Sequence, residues 1–140
     1  MKEFSYLLTP FLAWLVAGIL KFLINSLRAR RLAFDLIGYG GLPSNHSAIV
    51  SSMATLIALK EGIASPAFGI AIALAFIVIL DAASLRRQVG KHATAINRLN
   101  SLNKDNQLSL RERMGHTRIE ILAGVLTGAA VAYLVYICPL

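Results

Sequence analysis

Two histidines carry the chemistry this sequence offers. His46 follows a glycine-rich loop in the run Pro43-Ser44-Asn45-His46, and His116 follows a basic loop in the run Gly115-His116-Thr117-Arg118-Ile119-Glu120. Each run leads into an apolar segment, so each imidazole is expected in the first turn of a helix. Free N–H groups and the positive end of the dipole make a helix start attractive to anions; two such starts on one side of a membrane would converge on a phosphate. His116 and Glu120 are four positions apart, one turn along a helix. There a carboxylate fixes one imidazole tautomer and makes the other ring nitrogen a better nucleophile or base. The plainer alternative makes His116 an interfacial cap residue and pairs Glu120 with Arg118 or a nearby arginine. His46, likewise, either donates a proton to a leaving oxygen or caps a helix at the membrane surface.

Cationic residues gather around the same layer. Lys21 lies near the end of the first apolar stretch and Arg28 follows seven residues later, so both reach the same level, either to hold a phosphate or to snorkel to lipid head groups. Asp81 closes the third apolar stretch ahead of Arg86 and Arg87; its plain role is a helix-end ion pair.

The elements that must position these groups are membrane helices. Hydrophobic residues make up 56% of the 140 residues and charged ones only 15%, and the mean hydropathy is +0.65, which excludes an ordinary soluble domain. Apolar stretches cover residues 7–27, 44–59, 63–80 and 119–137. About 20 helical residues cross a hydrocarbon core, so the second stretch is short and is expected partly inside the bundle. Lys21 and Asn25 interrupt the first stretch and no basic leader precedes it, which favours a retained helix over a secretory signal. Gly38 to Pro43 reads as a turn-rich loop with Ser44 as N-cap. Residues 83–99 read as an amphipathic helix at the membrane surface, followed by a polar break and a short helix over 108–114. The expectation is a single all-α domain over residues 1–140, a polytopic membrane helical bundle of about four transmembrane helices plus an amphipathic surface helix.

Eleven of the 14 Lys and Arg fall in two loops, three between Arg28 and Pro43 and eight between Ala82 and Arg118. The positive-inside rule puts both loops in the cytoplasm and both termini outside. Cys138 is the single cysteine, which excludes an internal disulfide and a cysteine-based metal site. Gly124 and Gly128 have G-x-x-x-G spacing, which permits close helix packing within a monomer or across a homo-oligomer.

Taken together, the Pro43-Ser44-Asn45-His46-Ser47-Ala48 run, the segment from Asp81 through Arg86-Arg87 to Gly90, and the Gly115 to Glu120 run followed by Ala123-Gly124 resemble the divergent branch of the type-2 phosphatidic acid phosphatase superfamily, related to vanadium haloperoxidases. The resemblance covers Lys21 to Gly128. The superfamily's motifs are K-x6-R-P, P-S-G-H and S-R-x5-H-x3-D; the last histidine attacks phosphorus and the P-S-G-H histidine protonates the leaving group. Lys21 and Arg28 match the first motif, with Ala29 in place of proline, and Ser44 and His46 match the second, with Asn45 in place of glycine. His116 matches the nucleophile, Glu120 stands in for its aspartate, and Ser109 falls at the serine position. Leu110 occupies the arginine position, so Arg111, Arg86 and Arg87 are the candidates to supply the missing cation.

The resemblance implies a membrane lipid phosphatase, and the charge distribution turns its site toward the cytoplasmic face of the cell membrane. Its substrate would be a phosphate monoester or pyrophosphate of a phospholipid or prenyl lipid, and it would work through a phosphohistidine. His116, His46 and Glu120 would be catalytic, with Lys21, Arg28, Ser44, Asn45 and the candidate arginines holding phosphate and Asp81 in support. Cationic groups do the neutralising a metal would otherwise do, so neither metal nor cofactor is expected. The expected partner is a phosphorylated lipid in the membrane rather than a nucleic acid. The competing readings are a non-catalytic membrane protein that binds anionic lipid or phosphate, and a subunit of a larger assembly.

Overall fold

A computed structural model describes residues 4–32, 41–102 and 109–138. Among the described residues five α-helices follow one another: α1 (Ser5–Ala29), α2 (Asn45–Glu61), α3 (Pro66–Leu80), α4 (Arg86–Leu102) and α5 (Arg118–Ile137). A π-helical segment, Asp81–Leu85, joins α3 to α4 without a loop. The described residues are all-α, in line with the expected helical bundle.

The packing is inverted relative to a water-soluble protein. Ala13, Ala17, Ala48, Ala132, Ser47 and Ser52 are buried, while Phe11, Trp14, Ile70, Phe76, Leu122 and Leu126 face outward. Small residues let helix backbones approach where no hydrophobic driving force acts between helices, and large apolar ones belong against lipid tails. α1, α5 and the continuous run Pro66–Leu102 are each long and apolar enough to cross a membrane. α2, with 17 residues, is shorter. It is instead the central helix, with Ser47, Ala48, Val50, Ser51, Ser52, Ala54, Leu56 and Ile57 all buried, in line with the expectation that the short stretch lies inside the bundle.

The 37 residues of the Pro66–Leu102 run extend about 55 Å at the α-helical rise, well beyond the roughly 30 Å of a hydrocarbon core. One end must therefore stand outside the hydrocarbon, and the end bearing Arg86, Arg87, Lys91 and Arg98 is the polar one. The expected surface helix thus begins as a continuation of α3 rather than as a separate element.

α2 and α5 run side by side in the same direction. The Ser44 N–H donates to the Glu120 carbonyl at 2.9 Å, and two turns further along α2 the Ser51 Oγ donates to the Val125 carbonyl at 3.3 Å. A Cβ on Gly124 would strike the Ser44 carbonyl, and one on Gly128 would strike the Ala48 carbonyl and Ser51 Oγ. The G-x-x-x-G pair therefore serves packing within the monomer. Deeper in, Leu56 of α2 packs with Ala132 and Val135 of α5. At the opposite end from the histidines, Lys60 of α2 donates to Ser5 Oγ of α1 and lies 4.8 Å from the Tyr6 ring centroid, so α1 is antiparallel to α2.

Two local expectations are corrected. Residues 109–114 form no helix, because their backbone is used against the side of α4. His116 is not in the first turn of a helix either: α5 begins at Arg118 with Thr117 as N-cap, and Gly115, at φ 88°, turns the chain out of helical geometry just before it. Of the loop read from Gly38 to Pro43, residues 38–40 lie outside the described residues.

Candidate active site

The two histidine-bearing helix starts meet. Ser44 caps α2, its Oγ accepting the Ser47 N–H at 3.4 Å and the Ser47 hydroxyl at 3.1 Å. This sets His46 in the first turn. Thr117 caps α5 in a reciprocal arrangement: its Oγ1 accepts the Glu120 N–H at 3.2 Å, and Glu120 Oε2 accepts the Thr117 N–H at 2.9 Å. Such a capping box satisfies two otherwise orphaned donors at a helix start. The same Oε2 lies 3.1 Å from His116 Nδ1. A carboxylate can only accept, so with Glu120 ionised Nδ1 carries the proton and a neutral imidazole keeps its lone pair on Nε2. Glu120 pairs with His116, not with Arg118.

His116 is only 8% exposed. Its N–H donates to the Ala82 carbonyl at 2.9 Å, inside the π segment, where the hydrogen-bond ladder slips by one residue and frees a carbonyl from the helix. The ring centroids of His46 and His116 are 5.8 Å apart, with planes inclined at 56°.

Cations surround this pair unevenly. Lys21, half-buried on α1, lies within electrostatic reach of both Glu120 and His46. Arg86 and Asp81 are also within reach of His46, and Arg86 Nε donates to Asp81 Oδ2 at 3.1 Å. Asp81 thus forms the helix-end ion pair that its position suggested, and that pair borders the site.

The other phosphate candidates stand differently. Arg28 is exposed in the last turn of α1. Arg87 is exposed, its backbone lying against Gly115. Arg111 is exposed and its Nε donates to the Arg113 carbonyl at 3.3 Å. Ser44 is fully buried, its hydroxyl committed to Ser47. Asn45 lies beside Gly18; its Oδ1 and the Nδ1 of His46 are buried with no partner among the described residues. Buried polar atoms of that kind call for a ligand or water.

Several contributors escaped the sequence reading. Asn25 packs beside Lys21 against Gly41, where an added Cβ would lie 3.3 Å from Asn25 Oδ1; its spacing of four from Lys21 was the available signal. Thr117-x-x-Glu120 has the spacing of a capping box and was readable as such. The π segment leaves no comparable trace in the sequence.

A family model described as the Divergent PAP2 family matches residues 3–131. A protein of Bacillus subtilis (strain 168), named an uncharacterized membrane protein YuiD, is 34% identical over 138 residues, covering 87% of each chain. No solved structure matches the chain. With the family model spanning nearly its whole length and a relative 34% identical across most of it, the chain belongs to the Divergent PAP2 family.

Proposed function

We propose that this membrane protein is a phosphatase that hydrolyses a phosphate monoester or pyrophosphate of a phospholipid or prenyl lipid through a phosphohistidine on His116. The observation that carries the reading is the His46–His116 ring pair at 5.8 Å, with His116 Nδ1 held by Glu120 at 3.1 Å. Nε2 of His116 attacks phosphorus as the bond from phosphorus to the ester oxygen breaks, and His46 gives its proton to that oxygen. Water then attacks the phosphohistidine, His46 takes the water's proton, the N–P bond breaks and inorganic phosphate leaves. Glu120 stabilises the positive imidazole while phosphorus is attached. Lys21 and Arg86 neutralise the phosphate oxygens, with Arg28 at the outer edge; charge that develops in a partly dry site is stabilised most by donors already in place. The positive-inside rule, applied to the basic loops, supports a site on the cytoplasmic leaflet of the cell membrane.

A binding protein without turnover is the second reading, favoured by Leu110 at the motif's arginine position. Phosphate release by the purified protein from a panel of phospholipids and polyprenyl phosphates separates the two. Release that disappears in His116→Ala supports the phosphatase; vanadate or phosphate binding with no release from any member of the panel supports the binding protein.

A further inference from the structure

The segment that delivers His116 to the site has no secondary structure of its own, yet it is held along one side of the π segment and α4. Asn97, in the fourth turn of α4, does most of this. Its Nδ2 donates to the Leu110 carbonyl at 2.8 Å and to Glu112 Oε1 at 2.8 Å, while its Oδ1 accepts the Leu110 N–H at 2.8 Å. The Leu110 N–H needs an acceptor and its carbonyl a donor, so the network fixes which way the amide points. One side chain thus supplies both bonds that a neighbouring β-strand would have given to Leu110.

Two glycines complete the track. A Cβ on Gly90 would collide with the Glu112 carbonyl, and one on Gly115 would come within 3.1 Å of the Arg87 N. Beyond Gly115, the His116 N–H meets the Ala82 carbonyl. Asn97, Gly90, Arg87 and Ala82 therefore meet Leu110, Glu112, Gly115 and His116 in turn, and the segment runs antiparallel to α4 down to the site.

We infer that Asn97 is a positioning residue for His116: it anchors the far end of the 110–116 segment so that the imidazole arrives against Glu120 and opposite His46. The effect on turnover rests on the phosphatase reading; the anchoring itself does not. Asn97 touches neither histidine and acts only through the segment.

The test uses the full-length protein in detergent, with hydrogen exchange over residues 109–116 and steady-state phosphate release measured on the same samples. Asn97→Ala should accelerate exchange in that segment, including the His116 amide, about tenfold while α2 and α5 keep their protection. It should lower kcat about tenfold with KM changed by less than about twofold, because the nucleophile is misplaced while the phosphate-binding cations remain. Asn97→Asp keeps the acceptor for the Leu110 N–H and should fall between parent and alanine. Gly90→Ala should reproduce the alanine phenotype without touching Asn97. Parental exchange in Asn97→Ala, faster exchange with parental kcat, or loss of protection throughout α5 would each overturn the inference. A parent without turnover defeats the phosphatase reading alone; the His116 amide then decides, acceleration supporting the anchor and parental exchange refuting it.

Discussion

The main-chain carbonyl of Glu120 accepts the Ser44 N–H at 2.9 Å, so the residue whose carboxylate holds His116 also ties α5 to the cap of the helix that bears His46. Through this one residue the two histidines share a fixed relationship, which neither helix alone provides.

That dual role predicts a separation of effects. Glu120→Gln keeps the main-chain bond and the shape of the capping box but loses the charge opposite the imidazole, so thermal stability in detergent should stay near parental. Turnover should fall by about tenfold or more, since the phosphohistidine step loses its counter-charge. His116→Ala should abolish turnover with the fold intact. Substantial phosphate release by His116→Ala would rule out the covalent route.

The proposed role of His46 as the acid predicts that His46→Ala harms alkyl phosphates much more than activated aryl phosphates, whose leaving oxygens need little protonation. Equal losses on both classes would assign His46 to phosphate binding instead.

Arg86 lies within electrostatic reach of His46, whereas Arg87 gives its backbone to the contact with Gly115. Arg86→Ala should lower kcat/KM about tenfold, or about 1.4 kcal/mol of transition-state stabilisation, and weaken vanadate inhibition in parallel. Arg87→Ala and Arg111→Ala should stay within about threefold of parent. A large loss in Arg87→Ala with Arg86→Ala unaffected would reverse the assignment.

Because a Cβ on Gly128 meets the Ala48 carbonyl and Ser51 Oγ inside the monomer, Gly128→Val should destabilise the α2–α5 pair by about 1–3 kcal/mol. A lower melting temperature in detergent with unchanged particle mass is the expected result. A change in particle mass with parental melting would instead place these glycines at an interface between copies.

Orientation is checked with an impermeant thiol reagent on intact cells. Cys138, exposed at the end of α5, should label from outside, and Ser109→Cys in a Cys138→Ser background should be protected. The opposite pattern would put the site in the outer leaflet.

How much of this was legible beforehand depends on the range of the interaction that fixes it. Hydropathy and charge determine the helices, the membrane setting and the basic loops, because each is a sum over neighbouring residues. Ser44 as N-cap and His46 in the first turn were likewise readable, since capping acts over three residues. Local pattern misled at 109–114 and at His116: Asn97 and the Ala82 carbonyl claim backbone groups that a helix would have used, and those partners lie far away in sequence. Only the tertiary structure closed the distance between His46 and His116, because the approach of α2 to α5 depends on Gly124 and Gly128 presenting no side chain to the Ser44 and Ala48 carbonyls.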